Sequence, residues 1–205
     1  MFVVVEGIEG SGKSTLVAGL ALRLEGEGRS VLTTREPGGT AVGDAIRRLF
    51  LDPSVAIAPL TEALLVNAAR AQHVAEVIRP ALKSGRVVLC DRFVDSTLAY
   101  QGYGRGIDLA LLRNLCDLAA GGLRPSLIVV LDLPWTAARE RLRDRGAPAD
   151  RLEGEDDRFH ERVRSGFVEL ARQPNHVLLD AALSSDDLVE RAFEAVRSRM
   201  DARVS

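Results

Sequence analysis

The feature that most constrains this chain is the stretch GIEGSGKST at residues 7–15. It follows the apolar run at residues 2–5 and precedes Leu16, Leu20 and Leu24, which are spaced as on one face of a helix. Glycines have no Cβ, so backbone N–H groups in such a loop can approach an anion closely. The N-terminus of the following helix directs partial positive charge to the same place. The pattern predicts a strand, a phosphate-binding loop and a helix.

The side chains of this loop suit a nucleoside triphosphate. In this context Lys13 reaches the β- and γ-phosphates and the Ser14 hydroxyl ligates Mg²⁺, which is typical of P-loop nucleoside triphosphatases. The chain has 27 lysines and arginines, yet lysine occurs only at positions 13 and 83. A compact ammonium fits among phosphates better than a planar guanidinium, which supports this role for Lys13. The predicted ATP-binding residues are Gly7, Ile8, Glu9, Gly10, Ser11, Gly12, Lys13, Ser14 and Thr15.

The order of apolar runs and helical patterns predicts the fold class. The predicted strands cover residues 2–5, 30–34, 86–90, 127–133 and 176–179. They are rich in Val, Leu and Ile with little alternation, as in strands buried on both faces. The predicted helices cover residues 13–27, 40–50, 60–83 with a kink or break at Pro80, 108–120, 135–145, 155–172 and 185–203. The helix at 60–83 carries an apolar stripe that includes Leu64, Ala68 and Ala71. This alternation predicts an α/β fold, a five-stranded parallel sheet flanked by helices on both faces, with ligands at the carboxyl ends of the strands.

Composition limits the range of functions. The 205 residues predict a single domain, 1–205. A net charge of −2 argues against nucleic-acid or anionic-membrane binding, and no apolar stretch is long enough to span a membrane. Cys90 and Cys116 lack metal-ligand spacing and are expected to be reduced in a cytoplasmic protein. The three histidines are scattered and suggest no metal site.

Charged residues follow the third predicted strand directly. Asp91 comes at its carboxyl end, where a carboxylate can hold Mg²⁺, directly or through water, beside the phosphate loop. The alternative is that Asp91 caps a turn or pairs with an arginine. Arg92 offers a rigid fork of donors suited to phosphate oxygens. The predicted metal ligands are therefore Ser14 and Asp91.

Several blocks in order along the chain carry a family resemblance. They are GIEGSGKST at 7–15, TREPGGT at 34–40, LLVNAARAQH at 64–73, DRFVDSTLAYQGYGRGID at 91–108 and PSLIVVLDLP at 125–134. With these blocks the chain resembles the bacterial thymidylate kinase family, P-loop enzymes that phosphorylate dTMP with ATP. The resemblance implies a P-loop NTPase fold with a small mobile lid, ATP and Mg²⁺, and a homodimer.

The resemblance also implies roles for individual residues. Glu9 resembles the acidic residue that contacts the deoxyribose 3′-hydroxyl, and Arg70 resembles the arginine that donates to the thymine edge. Arg92 resembles the arginine that holds the acceptor phosphate, together with Arg47 or Arg48. Tyr100 and Gln101 resemble residues that line the deoxynucleotide, where a tyrosine would pack on the sugar at the place of a 2′-hydroxyl. The alternative for Tyr100 is an ordinary tyrosine of the core or the rim. The implied dTMP-binding residues are Glu9, Glu36, Pro37, Arg47, Arg70, Arg92, Ser96, Thr97, Tyr100 and Gln101.

Ser96 and Thr97 allow two interpretations, because both lie at the start of an expected helix. They hydrogen-bond the base, or they cap the helix. The base pocket also departs from the family at Val66, where a phenylalanine often stacks on thymine. Aromatic pairing contributes about 0.5–1.5 kcal/mol, which valine cannot supply. Phe93 or another aromatic residue is a candidate to compensate.

A second departure concerns the source of the transition-state arginine. Some relatives carry an arginine directly after the acidic residue of the phosphate loop, where this chain has Gly10. The other family arrangement supplies the arginine from a lid, expected here at residues 139–157. Arg145 is the first candidate and Arg151 the second, and the alternative is a salt-bridged helix face. The implied catalytic residues are Lys13, Arg92, Arg145 and Arg151.

The expected reaction is transfer of a phosphoryl group from ATP to dTMP, giving dTDP for dTTP biosynthesis. It needs no general base, because the acceptor oxygen is already anionic, and lid closure excludes water. One alternative is a kinase for another nucleoside monophosphate or for a deoxynucleoside. The other is a non-catalytic nucleotide-binding switch, which would not need the acceptor blocks at 34–40 and 91–108.

Overall fold

The computed structural model describes residues 1–146 and 148–202 and contains a five-stranded sheet in the order β2-β3-β1-β4-β5. All four strand pairs are parallel. The strands are β1 Phe2–Gly7, β2 Val31–Arg35, β3 Val87–Asp91, β4 Leu127–Asp132 and β5 His176–Asp180. The five predicted strands and their parallel arrangement are confirmed.

The position of each strand explains its sequence. β1 is central and every one of its residues is buried, whereas in the edge strand β2 only Val31 is buried and the other four residues are partly or fully exposed. In the register of the sheet, Val5 lies opposite Asp91 and Gly7 lies opposite Leu131. The phosphate loop therefore leaves β1 beside the carboxyl ends of β3 and β4, where parallel α/β sheets bind ligands.

Helices flank the sheet as the sequence predicts. They are α1 Lys13–Gly26, α2 Ala41–Leu51, α3 Pro59–His73, α4 Arg79–Lys83, α5 Val94–Thr97, α6 Leu109–Ala120, α7 Trp135–Asp144, α8 Asp157–Leu170 and α9 Ser185–Asp201. Several starts are fixed by side-chain caps, which satisfy backbone N–H groups that have no partner within the helix. For example, Thr40 accepts from the Gly43 N–H at 2.9 Å, so α2 begins at the next residue.

Two π-helical segments refine the predicted helices. The first, Val74–Ile78, joins α3 to α4, so the chain is helical from Pro59 to Lys83 and the predicted break at Pro80 is wrong. Pro80 lies in the first turn of α4, where a proline is tolerated. The second, Leu98–Gly104, follows α5 in a stretch where the sequence indicates only a helix start. π-helical turns occur often at functional sites. The second segment contains Tyr100 and Gln101, both predicted to bind dTMP.

Two predicted ranges reach beyond what the structure describes. Ala147, inside the predicted lid, and residue 203, at the end of the predicted helix 185–203, lie outside the described residues. Within residues 1–146 and 148–202, no helix combines the length and the apolar character needed to cross a bilayer. Cys90 and Cys116 are both buried and free.

Candidate active site

A cleft of about 270 Å³ opens at the carboxyl edge of the sheet and brings the predicted blocks together. The predicted site residues that line it are Glu9, Gly10, Lys13, Ser14, Glu36, Pro37, Arg47, Arg70, Asp91, Arg92, Ser96, Thr97, Tyr100, Gln101 and Arg145. Residues far apart in sequence meet here because β1, β2 and β3 end at this edge of the sheet, and α2, α3 and the end of α7 bring Arg47, Arg70 and Arg145 to it. The predicted residues outside its lining are Gly7, Ile8, Ser11, Gly12, Thr15 and Arg151.

The phosphate loop has the backbone that its glycines predict. Gly10 and Gly12 have φ values of +74° and +94°, in the left-handed region where side chains are disfavoured, and Gly12 directly precedes α1. Lys13 Nζ donates to the Ile8 carbonyl at 2.7 Å, and Ser11 Oγ donates to the same carbonyl at 2.8 Å. An ammonium group has three hydrogens, so this bond uses one of them.

Lys13 is almost fully buried, and this affects its charge. Burial, followed by the nearby Arg92 guanidinium, lowers the pKa of Lys13 from 10.5 to about 8. Both causes disfavour the ammonium form, although Asp91 and Glu9 act in the opposite sense. Burial is the main reason why the Lys13 ammonium is disfavoured, and an anion bound beside it would stabilise the charged form.

Helix α7 packs directly on the phosphate loop at Gly10. A Cβ at this position would lie 2.6 Å from the Ala138 carbonyl oxygen and 3.2 Å from Leu142 Cγ. No side chain fits there while α7 holds this position. The structure therefore gives a physical reason why the loop carries glycine at a position where some relatives carry arginine.

Asp91 and Ser14 meet at the edge of this loop. Ser14 Oγ donates to Asp91 Oδ2 at 2.9 Å, whereas Asp91 Oδ1 is buried and has no hydrogen-bond partner. A buried carboxylate oxygen without a partner is unfavourable, and Mg²⁺ binds such oxygens. The described residues contain no group of three or more His, Cys, Asp or Glu that could hold a metal. The pair would supply two oxygen ligands to a Mg²⁺ ion, which would take its remaining ligands from outside the described residues.

Arg92 occupies the centre of the cleft in an unusual conformation. Its φ is +73°, a value that costs energy for a residue with a Cβ. Its guanidinium donates to Glu9 Oε1 at 3.0 Å, Tyr100 Oη at 3.2 Å and Ser96 Oγ at 3.1 Å. Tyr100 in turn donates to Glu9 Oε2 at 2.6 Å. Burial raises the pKa of Glu9, but Arg92 and Lys13 outweigh it and leave that pKa below 4.5.

Ser96 and Thr97 do not cap α5, so the helix-cap interpretation is wrong. Phe93 precedes the helix without a side-chain cap. Ser96 Oγ donates to Glu6 Oε2 at 2.6 Å, and Thr97 Oγ1 accepts from Arg70 at 3.0 Å. Burial raises the pKa of Glu6 to about 7, with repulsion from Asp95 adding to it. Both hydroxyls line the cleft.

Arg70 is buried and fully engaged within the protein. Its five N–H groups donate to Glu36 Oε2 at 2.8 Å, Asn67 Oδ1 at 2.8 Å, Cys116 Sγ at 3.3 Å, Phe93 O at 2.8 Å and Thr97 Oγ1 at 3.0 Å. Donation to a thymine edge therefore requires Arg70 to exchange one of these partners. Glu36 also contacts His73 Nδ1 at 3.1 Å, so this corner of the cleft is rigidly held.

A second group of arginines lines the cleft from β2 and α2. Arg47 donates to the Pro37 carbonyl at 3.1 Å, and Arg47 lines the cleft whereas Arg48 does not. Burial, with repulsion from Arg35 and Arg92, lowers the pKa of Arg47. Arg35 also lines the cleft, a residue that our sequence reasoning missed. Its place at the end of β2, inside the TREPGGT block, was the available signal.

The two candidate lid arginines occupy different environments. Arg145 lines the cleft, is 48% exposed, and forms two hydrogen bonds of 2.9 Å with Glu153. Arg151 lies outside the cleft lining and pairs with Glu62, and its guanidinium stacks over the Phe50 ring at 5.0 Å. The prediction that Arg151 reaches the transferring group does not fit this structure, because a buried carboxylate on α3 already binds it.

The wall around Val66 contains aromatic residues. Val66 is 8% exposed and lines the cleft, and Phe50 and Phe93 line it as well. The predicted compensation for the missing phenylalanine at Val66 therefore has two candidates in place. Gln101 completes this side of the cleft and donates to Glu62 Oε2 at 3.0 Å.

Comparison with known proteins identifies the family. A family model described as thymidylate kinase matches residues 5–192. The thymidylate kinase of Deinococcus radiodurans is 50% identical over 201 residues, covering 97% of this chain and 97% of that protein. The thymidylate kinase of Syntrophotalea carbinolica is 50% identical over 200 residues, covering 94% of this chain and 93% of that protein. Because the family model and both relatives match nearly the whole chain, this chain belongs to the thymidylate kinase family.

Proposed function

We propose that this chain transfers the γ-phosphoryl group of ATP to dTMP and releases ADP and dTDP, a step towards dTTP. The main support for this proposal is that two cationic sites, one for the donor phosphates and one for the acceptor phosphate, lie in one cleft. Lys13 belongs to the triphosphate loop, and Arg92, Arg47 and Arg35 line the same cleft. One anion site is enough for a nucleotide-binding switch, whereas two are needed to hold a donor and an acceptor.

Phosphoryl transfer depends on positioning and on cations, because the protein has little covalent chemistry to supply. In this proposal the backbone N–H groups of residues 7–15 and Lys13 hold the β- and γ-phosphates. Arg92 holds the acceptor phosphate, with Arg47 beside it. Arg145, which lines the cleft from the predicted lid at 139–157, stabilises charge on the transferring group.

Ser14 and Asp91 are the residues that would hold Mg²⁺. The support is the unpartnered Asp91 Oδ1 next to the Ser14 hydroxyl. A bound Mg²⁺ supplies charge neutralisation at the phosphate oxygens. The protein's own part is to fix both oxygens in place: Asp91 at the end of β3 and Ser14 in the first turn of α1.

The deoxynucleoside is proposed to lie between Tyr100 and the corner held by Arg70. Tyr100 donates to Glu9 and accepts from Arg92, so its ring is fixed between the two predicted sugar and phosphate contacts. Glu9 accepts from the sugar 3′-hydroxyl in this proposal. Thr97 and Gln101 present polar groups to the base, and Val66 and Phe93 present apolar surface.

We further propose that two copies of the chain form a homodimer through α3 and α6. The apolar stripe of α3 faces solvent at Leu60, Leu64 and Ala68, and α6 exposes Leu111 and Leu118, the latter by 81%. The two helices pack against each other. Exposed leucines on two neighbouring helices favour association with an equally apolar surface, which a second copy supplies. The two free cysteines support a cytoplasmic location.

A nucleotide-panel assay tests the proposed function. ADP release is measured with ATP and each of dTMP, dUMP, dCMP, dGMP, AMP and thymidine as acceptor. We expect turnover with dTMP to exceed that with every other acceptor. Preference for thymidine would indicate a deoxynucleoside kinase. ATP hydrolysis without acceptor phosphorylation, together with no saturable dTMP binding by titration calorimetry, would indicate a switch.

A further inference from the structure

Glu62 is a fully buried carboxylate on α3 that binds two separate parts of the chain. It has no exposed surface. From the π-helical segment Leu98–Gly104 and the residue after it, Gln101 Nε2 donates at 3.0 Å, and Arg105 donates from Nε at 3.2 Å and from Nη2 at 2.8 Å. From the predicted lid, Arg151 Nη1 donates to the same carboxylate. None of the roles proposed above uses this group.

Arg151 docks the predicted lid on the end of α2 as well. Its backbone N–H donates to the Leu51 carbonyl at 3.0 Å, and its Nε donates to the Phe50 carbonyl at 2.9 Å. These carbonyls belong to the last turn of α2, where helical oxygens have no partner in the helix. The side chain is only 10% exposed. Arg151 therefore anchors the lid rather than reaching into the cleft.

Arg105 adds a second link from Glu62 to the lid. Its Nη2 donates to Glu155 at 2.6 Å while its guanidinium also binds Glu62. Glu62, Arg105, Arg151 and Glu155 together carry two negative and two positive charges, so the cluster is neutral. Burial raises the pKa of Glu62, but the hydrogen bonds from Arg105 and Arg151 outweigh it and keep that pKa below 4.5. The carboxylate is ionised and depends on its cationic partners.

The docked lid in turn fixes Arg145. Glu153, two residues after Arg151, binds Arg145 through both carboxylate oxygens and is itself only 6% exposed. Glu62 binds Arg151, the adjacent Asp150 accepts from the Glu153 N–H at 2.9 Å, and Glu153 binds Arg145. The turn at residues 150–153 therefore connects Glu62 to the arginine at the cleft. The same Glu62 carboxylate also orients Gln101 in the cleft wall.

We propose that Glu62 is a positioning residue that latches the lid through Arg151 and Arg105 while orienting Gln101 against the nucleotide. This inference rests on the proposed phosphoryl transfer to dTMP. Because one carboxylate serves both partners, lid docking and the nucleotide wall are coupled. Loss of its charge weakens the hold on the lid while keeping the size of the side chain.

The test is Glu62→Gln, with two measurements. We expect kcat with dTMP to fall at least about tenfold, which corresponds to about 1.4 kcal/mol. Trypsin provides the second measurement, because it cleaves after arginine. Cleavage after Arg151 should become at least about tenfold faster, again about 1.4 kcal/mol if cleavage follows the open population. Cleavage after Arg172, which is 74% exposed in the turn that follows α8 and lies outside the predicted lid, should change little and serves as an internal reference.

The matched control is Glu190→Gln, which removes the same charge from a surface pair with Arg23. It should leave kcat and the cleavage pattern unchanged. Arg151→Gln should lower kcat as Glu62→Gln does, and the double variant should be no worse than the more impaired single variant, because both act through one contact. If the losses of kcat in the two single variants added up in the double variant, the proposed role of Glu62 would be wrong.

A purely structural role gives a different result. Glu62→Gln would then melt at a lower temperature, yet the folded protein would keep normal kcat and a protected Arg151, and the inference would be wrong. Failure of the proposed function is distinguishable, because the unaltered protein would then not phosphorylate dTMP at all. Protection of Arg151 from trypsin is measured without substrate and tests the docking in either case.

Discussion

At the scale of single residues, the site contains charged side chains that are buried or attached to backbone in an unfavourable conformation. Lys13 is buried with a lowered pKa, and Arg92 adopts a positive φ. The sequence predicted both residues, because each sits beside a strand end in a recognisable block. It did not predict that the five donors of Arg70 are all used internally, since those partners come from positions 36, 67, 93, 97 and 116.

Lys13→Ala removes the ammonium group of the phosphate loop. We expect kcat to fall by about 10²–10³-fold, the cost typical of removing one donor that stabilises transition-state charge. Lys83→Ala is the matched control, because Lys83 is the other lysine of the chain and is exposed at the end of α4. Steady-state ADP release measures both. Near-normal turnover of the Lys13 variant would refute its catalytic role.

The affinity for ATP should depend on pH through the Lys13 ammonium group. The pKa of Lys13 is lowered to about 8, chiefly by burial, so the protein without nucleotide loses this ammonium as the pH rises through 8. Phosphates require the ammonium form, so ATP affinity should weaken above pH 8 by at most about tenfold per pH unit. Calorimetric titration at pH 7.5, 8.5 and 9.5 measures the slope. Lys13→Arg should abolish it, and equal affinity across this range in the unaltered protein would contradict the assignment.

At the scale of elements, the fold was largely predictable and its irregular parts were not. Apolar runs separated by helical patterns gave the five parallel strands and the main helices, because buried strands need continuous apolar sequence. The π-helical segment Leu98–Gly104 has no comparable periodicity, and its backbone is set by tertiary contacts with α8 and α6. The ion pair between Arg151 and Glu62 could not be predicted from the sequence either, since the two residues are 89 positions apart.

The element-scale prediction concerns the contact between the phosphate loop and α7. Gly10→Ala places a Cβ 2.6 Å from the Ala138 carbonyl oxygen, so α7 must move. We expect loss of stability from left-handed strain of about 1–2 kcal/mol and from overpacking of about 1–3 kcal/mol, with a fall in kcat. Urea unfolding and turnover measure these effects.

Gly28→Ala is the matched control for this change. Gly28 has φ +76°, close to the +74° of Gly10, but a Cβ there would have no neighbour within 4 Å. It should show only the strain component and keep normal kcat. If both variants lost the same stability and activity, the packing of α7 on the loop would not constrain position 10.

At the scale of the whole molecule, the apolar stripe of α3 shows what sequence alone leaves open. Periodicity marked Leu64, Ala68 and Ala71 as one face, but it cannot say whether a face meets the core or solvent. In the structure all three are exposed, while Ala63 and Ala69 are fully buried on the other side. The stripe is therefore surface, and it supports the proposed homodimer.

The whole-molecule prediction is a change of oligomeric state. Leu64→Glu should raise the dimer dissociation constant at least about 30-fold, because central interface residues contribute about 2 kcal/mol or more. Analytical ultracentrifugation at several concentrations measures it. Leu22→Glu is the control, since Leu22 is 71% exposed on α1, away from α3 and α6. A monomeric unaltered protein, or equal dissociation in both variants, would contradict the proposed interface.

The left-handed backbone of Arg92 has a consequence for anyone who engineers this chain. A glycine would adopt its φ of +73° without the steric penalty that a Cβ brings. Glycine would also remove the guanidinium that reaches Glu9, Tyr100 and Ser96, and loss of one partner from a buried ion pair costs about 3–5 kcal/mol, more than the left-handed strain of about 1–2 kcal/mol that it relieves. Libraries built on this scaffold should therefore hold residue 92 fixed, because relief of its backbone strain would lower both thermotolerance and turnover.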